Sequence, residues 1–84
     1  MKSEQINIVR IISKYLSKKM VFARNDAKVD SEMYPDALIT YCDEILYARS
    51  YEKSPVFVIV ARVEGAERVY TYHNITFAEV IYAR

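Results

Sequence analysis

The one familiar catalytic pair this chain can offer is Cys42 with His73, a thiol nucleophile and an imidazole base, because each residue type occurs once in 84 residues. A thiolate nucleophile needs a neighbouring base and an electropositive, partly exposed setting. Cys42 instead shares an apolar stripe with Leu38, Tyr41 and Ile45, which predicts a buried and inert cysteine. His73 closes an apolar run just before a turn and reads as an ordinary strand-end polar residue. One Cys and one His cannot supply the four ligands of a structural zinc site, and the adjacent Asp43-Glu44 pair fits no calcium-loop spacing. With Gly65 as the single glycine, neither a Walker A loop nor a Gly-x-Gly-x-x-Gly cradle can form. A chain with no enzymatic activity, no cofactor and no metal is expected.

Recognition chemistry is better represented. There are eight tyrosines and no tryptophan, and a tyrosine brings a large ring and a hydroxyl to an interface at low entropic cost. Arg68, Tyr70 and Tyr72 fall two apart and would share one face of a strand. Tyr47 and Tyr51 alternate in the same way. These five residues form the candidate partner-binding set, with four or five of the eight tyrosines expected in the core and the exposed remainder close together.

Charge provides the alternative. Net charge is +1 with a pI near 7.8, yet residues 1–28 hold seven basic and two acidic side chains while residues 29–84 hold five basic and nine acidic ones. Arg10, Lys14 and Lys18 step by four and would form one basic ridge on a helix. Such a ridge, with Tyr70 and Tyr72 stacking bases, would suit a nucleic acid. The acidic remainder and moderate pI weigh against it. The favoured reading is therefore a small non-enzymatic module that binds another protein. By analogy of size and lack of motifs, this is the kind of regulator or inhibitor that phages and mobile elements carry. The opposed charges of its two parts also favour a homodimer.

The elements that must carry these residues follow from periodicity. Ser3 as N-cap, with Ile8, Ile12, Tyr15 and Leu16 at helical spacing, predicts a helix over 4–18. Met20 to Arg24 reads as a strand closed by an Asn25-Asp26 turn. The near-continuous apolar run from Val56 to Val63 is its natural neighbour and central in the sheet. Pro35 and Asp36 open a second predicted helix over 36–48, on which Leu38, Tyr41, Cys42, Ile45 and Ala48 align. A competing reading ends that helix near 43–44 and makes 45–51 a strand, with 52–55 a hairpin loop. Val56–Val63 and Arg68–His73 flank Gly65 as a β-hairpin. Thr76-x-x-Glu79 has capping-box spacing and predicts a last helix over 77–83.

The expected fold is a single α+β domain spanning 1–84, two-layered, with an N-terminal helix on a three- or four-stranded, mainly antiparallel sheet in the order α-β-α-(β)-β-β-α. No apolar run approaches the roughly 18 residues that span a bilayer. An unpaired cysteine and an N-terminus interrupted by Asn7 and Arg10 point to a reduced, cytoplasmic setting without membrane contact. The Asn74-Ile75-Thr76 triplet is then not a glycosylation site.

Overall fold

The structure, a computed structural model, describes residues 5–13, 18–30, 32, 34–51, 53 and 56–83. Among them there is no helix. Seven strands run in chain order: β1 (Ile6–Ser13), β2 (Lys19–Arg24), β3 (Ala37–Cys42), β4 (Glu44–Tyr51), β5 (Val56–Val63), β6 (Ala66–His73) and β7 (Ile75–Tyr82). Six of them form a strongly curled, mixed half-barrel in the order β3-β2-β1-β4-β5-β6, and β7 pairs with β1 as an additional strand. The expected α+β fold is thus corrected to all-β.

Strands replace all three expected helices where they are described, for reasons visible in their residues; Ser3, Glu4 and residues 14–17 of the first, with Tyr15 and Leu16, lie outside the described residues. Ile6, Ile8, Val9, Ile11 and Ile12 crowd β1 with β-branched side chains, which lose χ1 freedom in a helix and pack well on a pleated surface. Four is an even number, so the Ile8–Ile12 spacing that suits a helix suits a strand equally. Both faces of β1 are covered: Val9 and Ile11 lie in the main core, while Ile8 lies in a second cluster behind the sheet. A strand buried on both sides shows no alternation, and this hides its period.

The expected helix over 36–48 is two strands parted at Asp43. β3 runs parallel to β2 in full register from Lys19↔Ala37 to Arg24↔Cys42. β4 pairs antiparallel with β5, which bears out the competing strand reading of 45–51. In the third case, the capping-box Glu79 is used across strands, opposite Arg10 of β1. Its carboxylate takes the Arg10 guanidinium at 3.0 Å. Val80 and Ile81, opposite Val9 and Ile8, extend that ladder.

The β2 strand and its Asn25-Asp26 turn are as expected, but the partner is not. β2 pairs with β1 and β3 rather than with β5, and β5 is central between β4 and β6. The β5–β6 hairpin is present, closed by Glu64 (φ 51°) and Gly65 (φ 81°). Two successive left-handed residues are what a type I′ turn requires. At Asn74 (φ 53°) a single left-handed residue separates β6 from β7. There the chain leaves the β5 edge and crosses to β1.

Curling brings two layers together. One is β3-β2-β1-β7, the other β4-β5-β6, and they join where Ile6 pairs with Ile45. Between them lie Val9, Ile11, Phe22, Cys42, Phe57, Ile59 and Ala61. The far side of the first layer is covered by the crossover from β2 to β3, whose Ala27, Val29 and Tyr34 pack on Ile8, Val21, Ala23 and Ile39.

Candidate docking face

Strand parity divides the β4-β5-β6 layer into two faces. Phe57, Ile59, Ala61 and Val63 of β5 point inward, with Tyr72, Tyr70, Arg68 and Ala66 directly opposite on β6. The intervening residues therefore point outward in four rows across the three strands. They read Tyr51–Val56–His73, Arg49–Val58–Thr71, Tyr47–Val60–Val69 and Glu44–Arg62–Glu67. Neither apolar cluster of the described residues includes Val56, Val58, Val60 or Val69. The three β5 valines are half-buried, and Val69 is 64% exposed.

The β4 column of this face is ordered by its own contacts. The Tyr47 and Tyr51 hydroxyls hydrogen-bond to each other, two rows apart and on the same side. The Arg49 guanidinium between them lies 5.4 Å from the centre of the Tyr51 ring, within cation–π range. The bond to Tyr47 raises the Tyr51 pKa above its usual value. At the far end, Arg62 donates to Glu44 at 2.6 Å, so the fourth row is internally paired. The result is an apolar strip between a Tyr-Arg-Tyr column on one strand and Val69 and Thr71 on another. Such a mixture of aromatic, aliphatic and arginine side chains is typical of protein interfaces.

The residues singled out from sequence are split by this geometry. Tyr47 and Tyr51 are together on the outer face. Tyr70 and Tyr72 are on the inner face, half-buried, with ring centres 4.9 and 5.9 Å from that of Phe22. Burial, reinforced by the neighbouring Tyr70, pushes the Tyr72 phenol up to about 12. Arg68 has the same parity but is exposed, opposite Ala61. Tyr34 of the crossover is buried against the far side of the first layer, whereas Tyr41 and Tyr82 are exposed. Among the described tyrosines Tyr34, Tyr70 and Tyr72 face the interior, Tyr15 lies outside the described residues, and the exposed ones are not all neighbours. The valines of β5 were missed as surface because their unbroken run resembles a strand covered on both sides.

The helix expected to carry the basic ridge is not present among the described residues. Lys14 lies outside the described residues, Lys18 is exposed just before β2, and Arg10 is on a strand, where a step of four spans ~13 Å rather than one helical turn. Arg10 is further engaged by Glu79, with the rings of Phe77 and Tyr34 at 5.1 and 5.7 Å. Cys42 is 1% exposed, and its thiol donates to the Ala23 carbonyl oxygen at 3.4 Å. Burial, and secondarily Asp43, push that thiol up, away from the thiolate form. His73 is at the opposite end of β5 from Arg62, the residue whose carbonyl oxygen accepts from the Asp43 amide next to Cys42. The two are not a catalytic pair.

A concave site lies where β4 diverges from β1, a cleft of about 660 Å³ with Gln5, Arg24, Glu44, Tyr47 and Arg62 in its wall. Its charged groups are committed to each other. Arg24 donates to Gln5 at 2.9 Å and to Asp26 at 2.6 Å, and Arg62 donates to Glu44. Beside it, Asp43 accepts from the Asn25 side chain at 2.9 Å and from the Gly65 amide at 3.1 Å, tying the β2–β3 and β5–β6 turns together. Among the described residues no three His, Cys, Asp or Glu side chains are grouped to hold a metal ion.

Fold and face together define a small all-β domain with one sheet surface left uncovered among its described residues. Comparison with protein-family models, with curated proteins and with solved structures returns no match.

Proposed function

We propose that this chain is a non-enzymatic protein-binding module whose docking surface is the outer face of β4-β5-β6. One observation carries the reading: Val56, Val58 and Val60 run down the centre of a three-stranded sheet face over which the described residues place no second layer. An uncovered apolar strip of this kind on a soluble chain is a common mark of an interaction site. Tyr47, Arg49 and Tyr51 supply the aromatic and guanidinium groups that anchor such contacts, and their mutual hydrogen bond and stacking restrict them before binding. A role as a small regulator or inhibitor of the bound protein is consistent with a chain that offers a surface.

The test is a paired substitution. Val58→Lys places a charge at the middle of the strip, and Tyr47→Ala removes an anchor; each is expected to weaken capture of the bound protein at least tenfold while far-UV circular dichroism and melting stay near wild type. Arg68→Ala, on the other parity, serves as the control and leaves capture unchanged. Capture that withstands Val58→Lys and Tyr47→Ala in a folded domain refutes this face.

A further inference from the structure

We infer that the occupant of this face is a second copy of the chain, packed sheet to sheet about a two-fold axis that lies in the interface and runs across the strands. The inference rests on the docking-face reading above and adds its partner and geometry. Its basis is the charge pattern of the four rows, which is compatible with itself in one orientation.

Two in-plane axes would set the face against its own copy. An axis along the strands keeps each row in place and exchanges β4 with β6. It stacks Arg62 on the second copy's Arg62 and Glu44 on its Glu67, since those three residues share a row. Like charges brought face to face in a desolvated layer oppose association strongly. An axis across the strands does the reverse: it keeps each strand opposite its own counterpart and inverts the order of rows.

The inverted order brings no two like charges together. On β6, Glu67 meets the second copy's His73, and the carboxylate can accept from an imidazole N–H; Val69 meets Thr71. On β5, Val60 meets Val58 at the centre, and Val56 meets Arg62, whose guanidinium is paired with Glu44 of its own chain. On β4, Arg49 meets the ring of Tyr47, and Glu44 meets the hydroxyl of Tyr51. Each contact occurs twice by symmetry, as an isologous interface requires. Two sheets so placed take the aligned packing of a β-sandwich, about 10 Å apart and rotated by roughly 30°. This gives β4-β5-β6 the second layer that the described residues of one chain do not provide.

Size sets the strength. Eight residues of strand at about 3.3 Å and three strands at about 4.8 Å make a face near 26 by 14 Å, small beside stable interfaces. The dimer is therefore reversible, with dissociation in the micromolar range or weaker.

Sedimentation equilibrium of the full chain from about 5 µM to 1 mM tests this directly. A concentration-dependent monomer–dimer transition is expected, abolished by Val58→Lys. Glu67→Lys alone and His73→Glu alone each weaken it about tenfold, because each places like or unmatched charges in both symmetric contacts. The double variant Glu67→Lys/His73→Glu exchanges the partners and restores it to within about threefold of wild type. A dimer that forms but is not restored by the double exchange overturns the proposed axis. A wild-type chain that stays monomeric to 1 mM overturns self-occupancy; if Val58→Lys then still abolishes capture of a different protein, the docking face stands with another occupant. Dimerisation and capture both indifferent to Val58→Lys remove the face as well.

Discussion

Phe22 reports on whether the two layers are oriented as described. It is 2% exposed on β2, with the rings of Tyr70 and Tyr72 packed against it from β6 at 4.9 and 5.9 Å, tilted by 59° and 66°. Phe22→Ala removes a ring from a sealed site and is expected to cost about 3–5 kcal/mol. A chain of this length has roughly 4–13 kcal/mol in total, so that variant stands near the threshold of folding. Phe22→Leu is the working substitution. It keeps most of the apolar volume and forfeits the aromatic pairs, at about 0.5–1.5 kcal/mol each beyond area, for a loss of about 2 kcal/mol.

Urea unfolding followed by far-UV circular dichroism measures the loss as a midpoint shift of about 1–2 M, given a slope of about 1–2 kcal/mol/M. Combined with Tyr70→Leu in a double-mutant cycle, it should show a coupling of about 0.5–1.5 kcal/mol. Val69→Ser, on the opposite parity of the same strand, should cost under about 0.5 kcal/mol. Additivity of Phe22→Leu with Tyr70→Leu, together with a costly Val69→Ser, would mean that β6 is turned over. That result would refute the outer face too, because the same alternation that buries Tyr70 and Tyr72 exposes Val69, Thr71 and His73.

Substitutions at two further positions probe local causes. The Tyr72 phenol, held neutral by burial and by Tyr70 up to about 12, contributes stability that is complete below the unfolded value of about 10 and declines as pH rises through the folded value. After allowance for its partial exposure the loss is on the order of 1 kcal/mol, visible as weaker urea resistance between about pH 10 and 12, and smaller in Tyr72→Phe. Gly65→Ala should cost about 1 kcal/mol through the backbone alone: its φ of +81° opposes an L side chain, although an added Cβ there meets nothing within 4 Å. Gly65→Asn, which tolerates that conformation better, should cost less in the same thermal melt.

What could be read from residues alone was the part that turns punctuate. The hairpin around Gly65 and the short β2 strand ahead of Asn25-Asp26 were legible because their ends are marked by left-handed or turn-forming residues. β1, β3 and β7 were not. Their apolar residues recur at four-residue intervals that satisfy a strand as well as a helix, and the β2–β3 crossover that covers the far side of β1 and β2 lies in a segment with no regular period of its own. The Thr76-x-x-Glu79 spacing illustrates the same degeneracy. Glu79 has a partner in either fold, and only the presence of Arg10 opposite it on β1 selects the strand.

The docking face turns on one irregularity that no residue pattern announced. Ile45 pairs with Ala61, yet Tyr47 pairs with the very next β5 residue, Val60, so Leu46 is an extra residue, a β-bulge, in β4. Without it Ile45, Tyr47, Arg49 and Tyr51 would all share one face, as strict alternation predicts. Either Ile45, now 4% exposed, would then face solvent, or the Tyr-Arg-Tyr column would be driven into a core already filled by Phe57 and Ile59. The bulge resolves that conflict by changing parity once, immediately after the Ile6–Ile45 junction where β4 departs from β1. Ile45 goes to the core that holds the layers together, and Tyr47, Arg49 and Tyr51 go to the surface beside the three valines. The burial of Ile45 and the composition of the exposed face thus have a common origin at Leu46.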